Sequence, residues 1–161
     1  MSLKRVYKMN RRQFTVGLFS SVLASSLPQA SSAWGINTTR SIKLFNINNN
    51  EKISTIYWRN GYYDSDGVLK LTNFFRDWRN GSLHHIDPML FDIIWTLQEE
   101  LNLQDSGLQL VSGYRSPKTN AMLRRRSKGV AKNSLHMRGL AADITSYDVK
   151  LSKIRTLAQS L

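Results

Sequence analysis

The sequence predicts an α+β domain in which a small, mainly antiparallel sheet is flanked by helices. Apolar residues alternate at Ile42 and Leu44, and a run rich in β-branched and aromatic residues spans 53–58, so two strands are expected. The polar stretch 48–51 between them predicts the turn of a hairpin. The apolar residues of 90–101 have helical spacing instead, and they supply the α component of the fold.

Three helices follow from spacing and from capping residues. The i, i+3, i+4, i+7 spacing of apolar residues over 71–78 predicts the first, which ends at Asn80 and the glycine after it. Asp87 is expected to cap the second helix, with Pro88 at its first position. Ser116 is expected to cap the third in the same way. The apolar and aromatic residues of these helices are interpreted as core.

Two strands and a final helix complete the prediction. The segment 108–111 predicts a short buried strand, and 140–144 is small and apolar enough for a central strand. That strand would hold Asp143 rigidly, with His136 just before it. Residues 148–160 predict the last helix.

Composition limits the chemistry that the chain can perform. With 161 residues, of which 41% are hydrophobic, the chain can bury one ordinary core. No apolar run reaches the roughly 18 residues that a membrane span needs. Because the chain contains no cysteine, thiolate zinc sites, disulfides and cysteine nucleophiles are excluded, and a metal would have to bind His, Asp or Glu.

The first 33 residues have the pattern of an export signal. Five basic residues and no acid precede a moderately apolar stretch and a cleavage site of small residues ending at Ala33. The pair Arg11 and Arg12 is similar to a twin-arginine signature, which predicts a periplasmic location. An amphipathic first helix is the alternative. The expected domain organisation is therefore a signal at 1–33 and one domain at 34–161.

The chain is strongly basic. It has 23 basic and 11 acidic residues, and removal of the five basic residues of 1–33 leaves 18 against 11, a net charge of +7. Eight basic residues lie between 115 and 138 with no acid among them, so this segment attracts anions. A solvated helix face, a cell-wall or membrane polyanion and a nucleic acid are alternative explanations. Export argues against nucleic acid.

His136 and Asp143 form half of a candidate zinc site. A catalytic zinc usually binds three protein ligands and a water, and an imidazole and a carboxylate would provide two of them. The alternative is that Asp143 pairs with Arg115 or Arg138 and that His136 is an ordinary loop residue. Spacing alone does not separate these interpretations.

A family resemblance favours the metal. The pattern Ser134-x-His136-x-x-Gly-x-Ala-x-Asp143, preceded by Ser-Gly-Tyr-Arg at 112–115, resembles the zinc signature of the M15 metallopeptidases, the D-Ala-D-Ala carboxypeptidase and LD-endopeptidase superfamily. The run Leu-Thr-Asn-Phe-Phe-Arg-Asp-Trp at 71–78 and the helix start after it are similar to the murein endopeptidase K branch. The resemblance covers essentially all of the chain after the signal and implies the hedgehog/DD-peptidase fold.

The resemblance also implies roles. His136 and Asp143 would bind zinc, and Arg115 would engage a substrate carboxylate or the polarised carbonyl. The implied substrate is the peptide cross-link of peptidoglycan, with the metal activating a water against an amide carbonyl. The remaining motif positions would support the site or line its cleft: Ser112, Tyr114 and Ser134.

The chain departs from the family pattern after Asp143. The family has its third zinc ligand and its acid-base residue in a later strand, and no His, Glu or Cys follows Asp143 here. The expectation is a truncated domain without its last strand, with an exposed sheet edge, weak zinc binding and poor cleavage. A wall-binding protein without catalysis and a nucleic-acid-binding protein are the alternatives. His84 and His85 are interpreted as solvated, and Asp87 as a helix cap.

Overall fold

The computed structural model describes residues 39–161, so the predicted export signal lies outside the described residues. No helix in this part of the chain is long and apolar enough to cross a membrane. The elements, in chain order, are β1 Arg40–Asn46, β2 Lys52–Arg59, β3 Tyr62–Tyr63, α1 Ser65–Phe74, α2 Pro88–Glu100, β4 Leu108–Ser112, α3 Pro117–Arg126, a 3₁₀ helix Leu135–Arg138, β5 Asp143–Thr145 and α4 Leu151–Ser160.

The five strands form one mixed sheet in the order β3-β2-β1-β4-β5. Three neighbouring pairs are antiparallel, and β1 with β4 is the parallel pair. The α+β class and the mainly antiparallel sheet are therefore confirmed. The hairpin formed by β1 and β2 is confirmed too, with Leu44 opposite Ile53 and the turn between the strands at 47–49.

Helices α2 and α3 begin where the capping residues predict. The Asp87 carboxylate accepts a hydrogen bond from Met89 N at 2.9 Å, so this residue is a helix cap as expected. Ser116 Oγ accepts from Thr119 N at 3.2 Å and caps α3 in the same manner. A proline follows each cap at the first helical position. A backbone N–H there would have no acceptor within the helix, so the missing N–H of proline costs no hydrogen bond.

Helix α1 differs from the prediction at both ends. It begins after Asp64, whose side chain accepts a hydrogen bond from Gly67 N at 2.9 Å, and it ends at Phe74. Trp78 therefore lies beyond the helix, although its spacing from Leu71 is helical. The early start depends on Gly67, since a Cβ there would lie 1.8 Å from a backbone oxygen of β2.

Strand β5 is shorter than predicted and lies at an edge of the sheet, so the expectation of a central strand over 140–144 is wrong. Leu140 N donates to Leu135 O at 3.1 Å, and this bond ties Leu140 to the 3₁₀ helix instead of the sheet. Pairing with β4 begins only at Asp143, which is opposite Ser112. Asp143 is consequently the first residue of an edge strand, and its side chain is half exposed.

The core lies where α1 and α2 pack on the sheet. Leu71, Phe75 and Phe91 are fully buried, which confirms that the helical apolar residues are core. The rings of Phe75 and Phe91 meet edge to face with centroids 5.5 Å apart, an arrangement that aromatic pairs prefer. Helix α4 closes the same core through Ile154.

Candidate active site

Three elements that are distant in the chain meet at the C-terminal end of β4. Arg115 follows β4, His136 lies in the 3₁₀ helix, and Asp143 begins β5. The backbone joins the first two directly, because Arg115 N donates to His136 O at 3.1 Å. The β4–β5 pairing brings Asp143 beside them. The structure thus brings together the two candidate zinc ligands and the candidate substrate-binding arginine.

The His136 ring is oriented by a backbone carbonyl. Its Nδ1 lies 2.8 Å from Gly113 O, and because a carbonyl oxygen can only accept, Nδ1 carries the hydrogen. In the neutral ring, Nε2 then has its lone pair directed away from Gly113. A histidine that binds zinc is commonly oriented by such a hydrogen bond from its other nitrogen. The side chain is buried, so the ring has little freedom to turn.

Gly113 has a packing reason to be glycine. A Cβ at this position would lie 2.5 Å from Phe75 O, so a larger residue would push the strand end away from α1. Tyr114 N donates to the same Phe75 O at 2.8 Å. The carbonyl that orients His136 is therefore held at a fixed distance from the core.

The Asp143 carboxylate faces both of its expected partners. One oxygen, Oδ1, lies 3.5 Å from His136 Nε2, and the other accepts a hydrogen bond from Arg115 Nη2. The pKa of Asp143 is lowered: a hydrogen bond from His136, which Nε2 donates only in the protonated ring, is the largest cause, burial opposes it, and the charges of protonated His136 and of Arg115 add to the lowering. The carboxylate is therefore ionised at neutral pH.

Arg115 is held beside this pair from its other side. Its Nε donates to Ser112 Oγ at 3.0 Å, and its Nη2 lies 3.3 Å from His136 Nε2. Only 14% of the Arg115 side chain is exposed. The guanidinium is therefore fixed next to the two candidate ligands.

The three supporting motif positions differ in their contacts. Ser112 is buried and accepts the hydrogen bond from Arg115. Ser134 is buried at the N-terminal cap of the 3₁₀ helix, but its hydroxyl forms no hydrogen bond to another described residue. Tyr114 is buried, and its ring stacks on His84 with centroids 4.9 Å apart and planes 15° apart. His84, interpreted as solvated, is exposed but has this one ordered contact.

The glycine of the signature is explained by two constraints. Gly139 has a φ of 67°, a left-handed conformation that caps the 3₁₀ helix. A Cβ at this position would also lie 2.0 Å from His85 O. Gly139 O accepts a hydrogen bond from Asp87 N at 3.1 Å, so the start of α2 is bonded to the segment that carries His136.

Sequence reasoning missed Asp77, a fully buried carboxylate that organises the other end of the site. Its Oδ2 accepts from Ser116 N at 2.9 Å and from Ser116 Oγ at 2.8 Å, which fixes the residue that follows Arg115. Its Oδ1 accepts from Arg79 N at 3.2 Å. Burial opposes ionisation, but the hydrogen bonds from Thr119, Ser116 and Arg79 outweigh it and lower the pKa of Asp77. An isolated aspartate 39 residues before Ser116 gives no sequence signal for this role.

The donor set fits two positions of a zinc site. A neutral imidazole nitrogen and an ionised carboxylate are both ordinary zinc ligands, and here they face each other. Within residues 39–161, no cluster of three or more His, Cys, Asp or Glu side chains could hold a metal ion. The described part of the chain therefore brings together two candidate ligands.

Comparison with known proteins defines the class. The model of a peptidase M15 family, described as "Peptidoglycan L,D-endopeptidase MepK", matches residues 35–161. The chain belongs to this family. Peptidases of the M15 family are generally zinc-dependent. The family assignment made from the sequence motifs is confirmed.

Individual relatives agree with the family. A probable peptidoglycan L,D-endopeptidase MepK of Haemophilus influenzae is 39% identical over 116 residues, which cover 72% of this chain and 62% of the relative. The peptidoglycan L,D-endopeptidase MepK of Escherichia coli K12 is 41% identical over 122 residues, which cover 76% of this chain and 66% of the relative. The chain thus spans just under two thirds of the length of these relatives. No solved structure matches the chain.

Proposed function

We propose that this protein is a zinc-dependent peptidoglycan endopeptidase that acts on peptide cross-links of the cell wall. The observation that carries the proposal is the convergence of His136 Nε2, the Asp143 carboxylate and the Arg115 guanidinium within 3.5 Å of one another. Family membership supplies the reaction class. The names of the relatives suggest cleavage of an L,D peptide bond.

His136 and Asp143 would hold the zinc ion. The chemistry that zinc supplies in such sites is polarisation of the scissile carbonyl and activation of a water molecule. In the neutral ring, the hydrogen bond from His136 Nδ1 to Gly113 O places the lone pair on Nε2 and fixes its direction. The lowered pKa of Asp143 keeps that ligand ionised over the neutral pH range.

Arg115 would bind the substrate. Its guanidinium carries a permanent positive charge and several donors in one plane, which suits a stem-peptide carboxylate or a carbonyl oxygen that gains negative charge. Ser112 would hold the guanidinium in place through its hydroxyl. The Tyr114 ring would form a wall of the cleft, and the Ser134 hydroxyl would be available to support the substrate or His136.

The proposed location is the periplasm, reached through a twin-arginine signal in residues 1–33. The basic n-region, the moderately apolar stretch and the small residues before position 34 support it. Peptidoglycan lies outside the cytoplasmic membrane, so the proposed substrate requires export. Cleavage of the 161-residue chain after Ala33 in an exporting cell, and its loss when Arg11 and Arg12 are both changed to Lys, would test the proposal.

We propose further that residues 39–161, the part of the chain that the structure describes, by themselves bind zinc weakly and cleave cross-links poorly. Two protein ligands hold a zinc ion less tightly than three, and Arg115 competes for Asp143 in the present arrangement. The same ion pair favours a second candidate function, a wall-binding protein that does not turn over substrate. The two functions differ in a measurable way, since only the first requires zinc.

The deciding experiment compares the 161-residue chain with His136→Ala and with His85→Ala, an exposed histidine that serves as the matched control. Zinc binding is measured by competition with a chromogenic chelator, and cleavage by chromatography of digested sacculi. The expected result is zinc binding in the micromolar range or weaker that only His136→Ala abolishes, together with slow release of muropeptides. Equal zinc binding by both variants would refute the metal assignment. Zinc-independent sacculus binding without digestion would favour the second function.

A further inference from the structure

A basic segment of the chain begins and ends next to the candidate site. The basic arm, defined as residues 117–133, consists of α3 and the loop after it. It starts two residues after Arg115 and ends just before Ser134, and Arg115 N is bonded to His136 O across its base. Both ends of the arm are therefore anchored in the candidate active site.

The arm carries a concentrated and unneutralised positive charge. No acidic residue occurs between Asp105 and Asp143. None of the arm's cations takes part in an ion pair within the described chain. The cations are all exposed: Lys118, Arg124, Arg125, Arg126, Lys128 and Lys132.

The arm has a defined shape. Asn120 Nδ2 donates to Ala131 O at 3.1 Å and lies 3.4 Å from Lys132 O, so the returning loop is tied to the helix. Ser127 N donates to Leu123 O at 2.9 Å and closes the helix end. The charges are thus displayed on an ordered support and not on a free tail.

Helix stability explains only part of this charge. Cations in the last turn of a helix interact favourably with its dipole, which accounts for Arg124, Arg125 and Arg126. Lys128 and Lys132 lie beyond the helix, where the dipole effect has fallen off. The helix dipole therefore does not account for the loop cations.

The position of the arm fits a polymeric substrate. The ten residues of α3 span about 15 Å, which is also the length of about five residues of extended peptide. A peptide bound at His136 and Asp143 could therefore place groups four or five residues away beside the cations at the far end of α3. Stem peptides of peptidoglycan carry free carboxylates, and these provide the complementary charge.

We propose that the basic arm is a docking surface for the carboxylates of peptidoglycan stem peptides next to the cross-link in the site. The identity of this polyanion rests on the proposed function. A lipid surface is disfavoured because the arm has no exposed large apolar side chain that could enter a bilayer. The arm attracts the wall polymer and holds it near the site through charges that salt screens.

The test measures binding of the 161-residue chain to purified sacculi in a sedimentation assay without added zinc. Arg125→Gln/Arg126→Gln/Lys128→Gln removes three charges from the arm. A control removes three exposed charges outside it: Lys52→Gln/Lys150→Gln/Lys153→Gln. At low salt the arm variant is expected to bind at least about tenfold more weakly than the control variant, with the difference shrinking as salt rises. Amidation of the sacculus carboxylates should weaken binding of the unaltered chain to the same degree.

Three results would overturn the proposal. These are equal binding by the two triple variants, undiminished binding to amidated sacculi, and tighter binding to anionic lipid vesicles or duplex DNA than to sacculi at physiological salt. If the arm variant unfolds, Lys128→Gln/Lys132→Gln gives the answer instead, since it leaves the last turn of α3 intact. His136→Ala separates this proposal from the proposed function: it should lose zinc binding but keep sacculus binding.

Discussion

Replacing Asp77 with asparagine tests whether the buried carboxylate behind the site stabilises the fold as an anion. The asparagine side chain would have nearly the same shape but only one acceptor oxygen, whereas Asp77 accepts from Ser116 N and Oγ at 2.9 Å and 2.8 Å with one oxygen and from Arg79 N with the other. Whichever way the amide turns, its NH2 group faces a donor, and at least one buried donor loses its acceptor. Because Asp77 is fully buried, water cannot replace the lost bonds.

The magnitude follows from the contacts. A hydrogen bond to a charged group contributes about 1.5–3 kcal/mol, and asparagine at best keeps the two bonds from Ser116, now to a neutral oxygen, while losing the one from Arg79 N. We expect the free energy of unfolding to fall by about 2–4 kcal/mol at pH 7. Asp66→Asn is the matched control, since Asp66 is largely exposed and, among residues 39–161, its one ion pair is with Lys70 one turn later. That variant should change stability by less than about 0.5 kcal/mol.

The effect of Asp77→Asn should depend on pH in a defined direction. The pKa of Asp77 is lowered in the folded protein, so its stabilising contribution is complete above the unfolded-state pKa of about 3.9. The contribution is lost as the pH falls through the lower folded-state value. Urea unfolding at pH 7, 5 and 3 should therefore show a gap in the free energy of unfolding between the unaltered protein and Asp77→Asn. This gap should be constant from pH 7 to 5 and smaller at pH 3. A gap below about 0.5 kcal/mol at pH 7 would refute the reasoning, as would a gap that grows on acidification.

Three further predictions concern the fold. Gly139→Ala should lower the free energy of unfolding by more than about 2 kcal/mol, since it combines left-handed strain with a backbone clash, and denaturant titration would show it. Gln98→Leu should cost about 1–3 kcal/mol in the same assay, because Gln98 bonds to both Lys43 O at 2.9 Å and Lys43 N at 3.3 Å. Burial and the hydrogen bond to Asp92 raise the pKa of Tyr63 to about 12. Ultraviolet titration should find Tyr63 ionising at about pH 12, and Asp92→Asn should lower the pKa of Tyr63.

Much of the fold could be predicted because several signals are local. The turn between β1 and β2 and the caps at Asp87 and Ser116 each need only a few neighbouring residues, and each was correct. The start of α1 could not be predicted, because a glycine normally counts against a helix. Gly67 is present for a tertiary reason, the close approach of α1 to β2, which local propensity does not report.

The edge position of β5 shows a second kind of limit. The small apolar residues before Asp143 have the composition of a buried strand, but the left-handed Gly139 turns the chain so that Leu140 bonds to the 3₁₀ helix. Only three residues then remain to pair with β4. Composition indicates what could be buried, whereas the hydrogen bonds available after a turn decide where pairing begins.

The two interpretations of Asp143 that the sequence left open are compatible in the structure. A carboxylate has two oxygens, and here one faces Arg115 while the other faces His136 Nε2 at 3.5 Å. Arg115 therefore neutralises part of the charge on Asp143 without covering the oxygen that faces the imidazole. From spacing in the sequence, the ion pair of Asp143 with an arginine and its role as a zinc ligand look like alternatives, because spacing suggests one partner for each residue. The geometry allows one carboxylate to be held by the arginine and to remain a candidate ligand. The presence of the ion pair therefore does not decide the metal assignment, whereas the zinc binding of His136→Ala does.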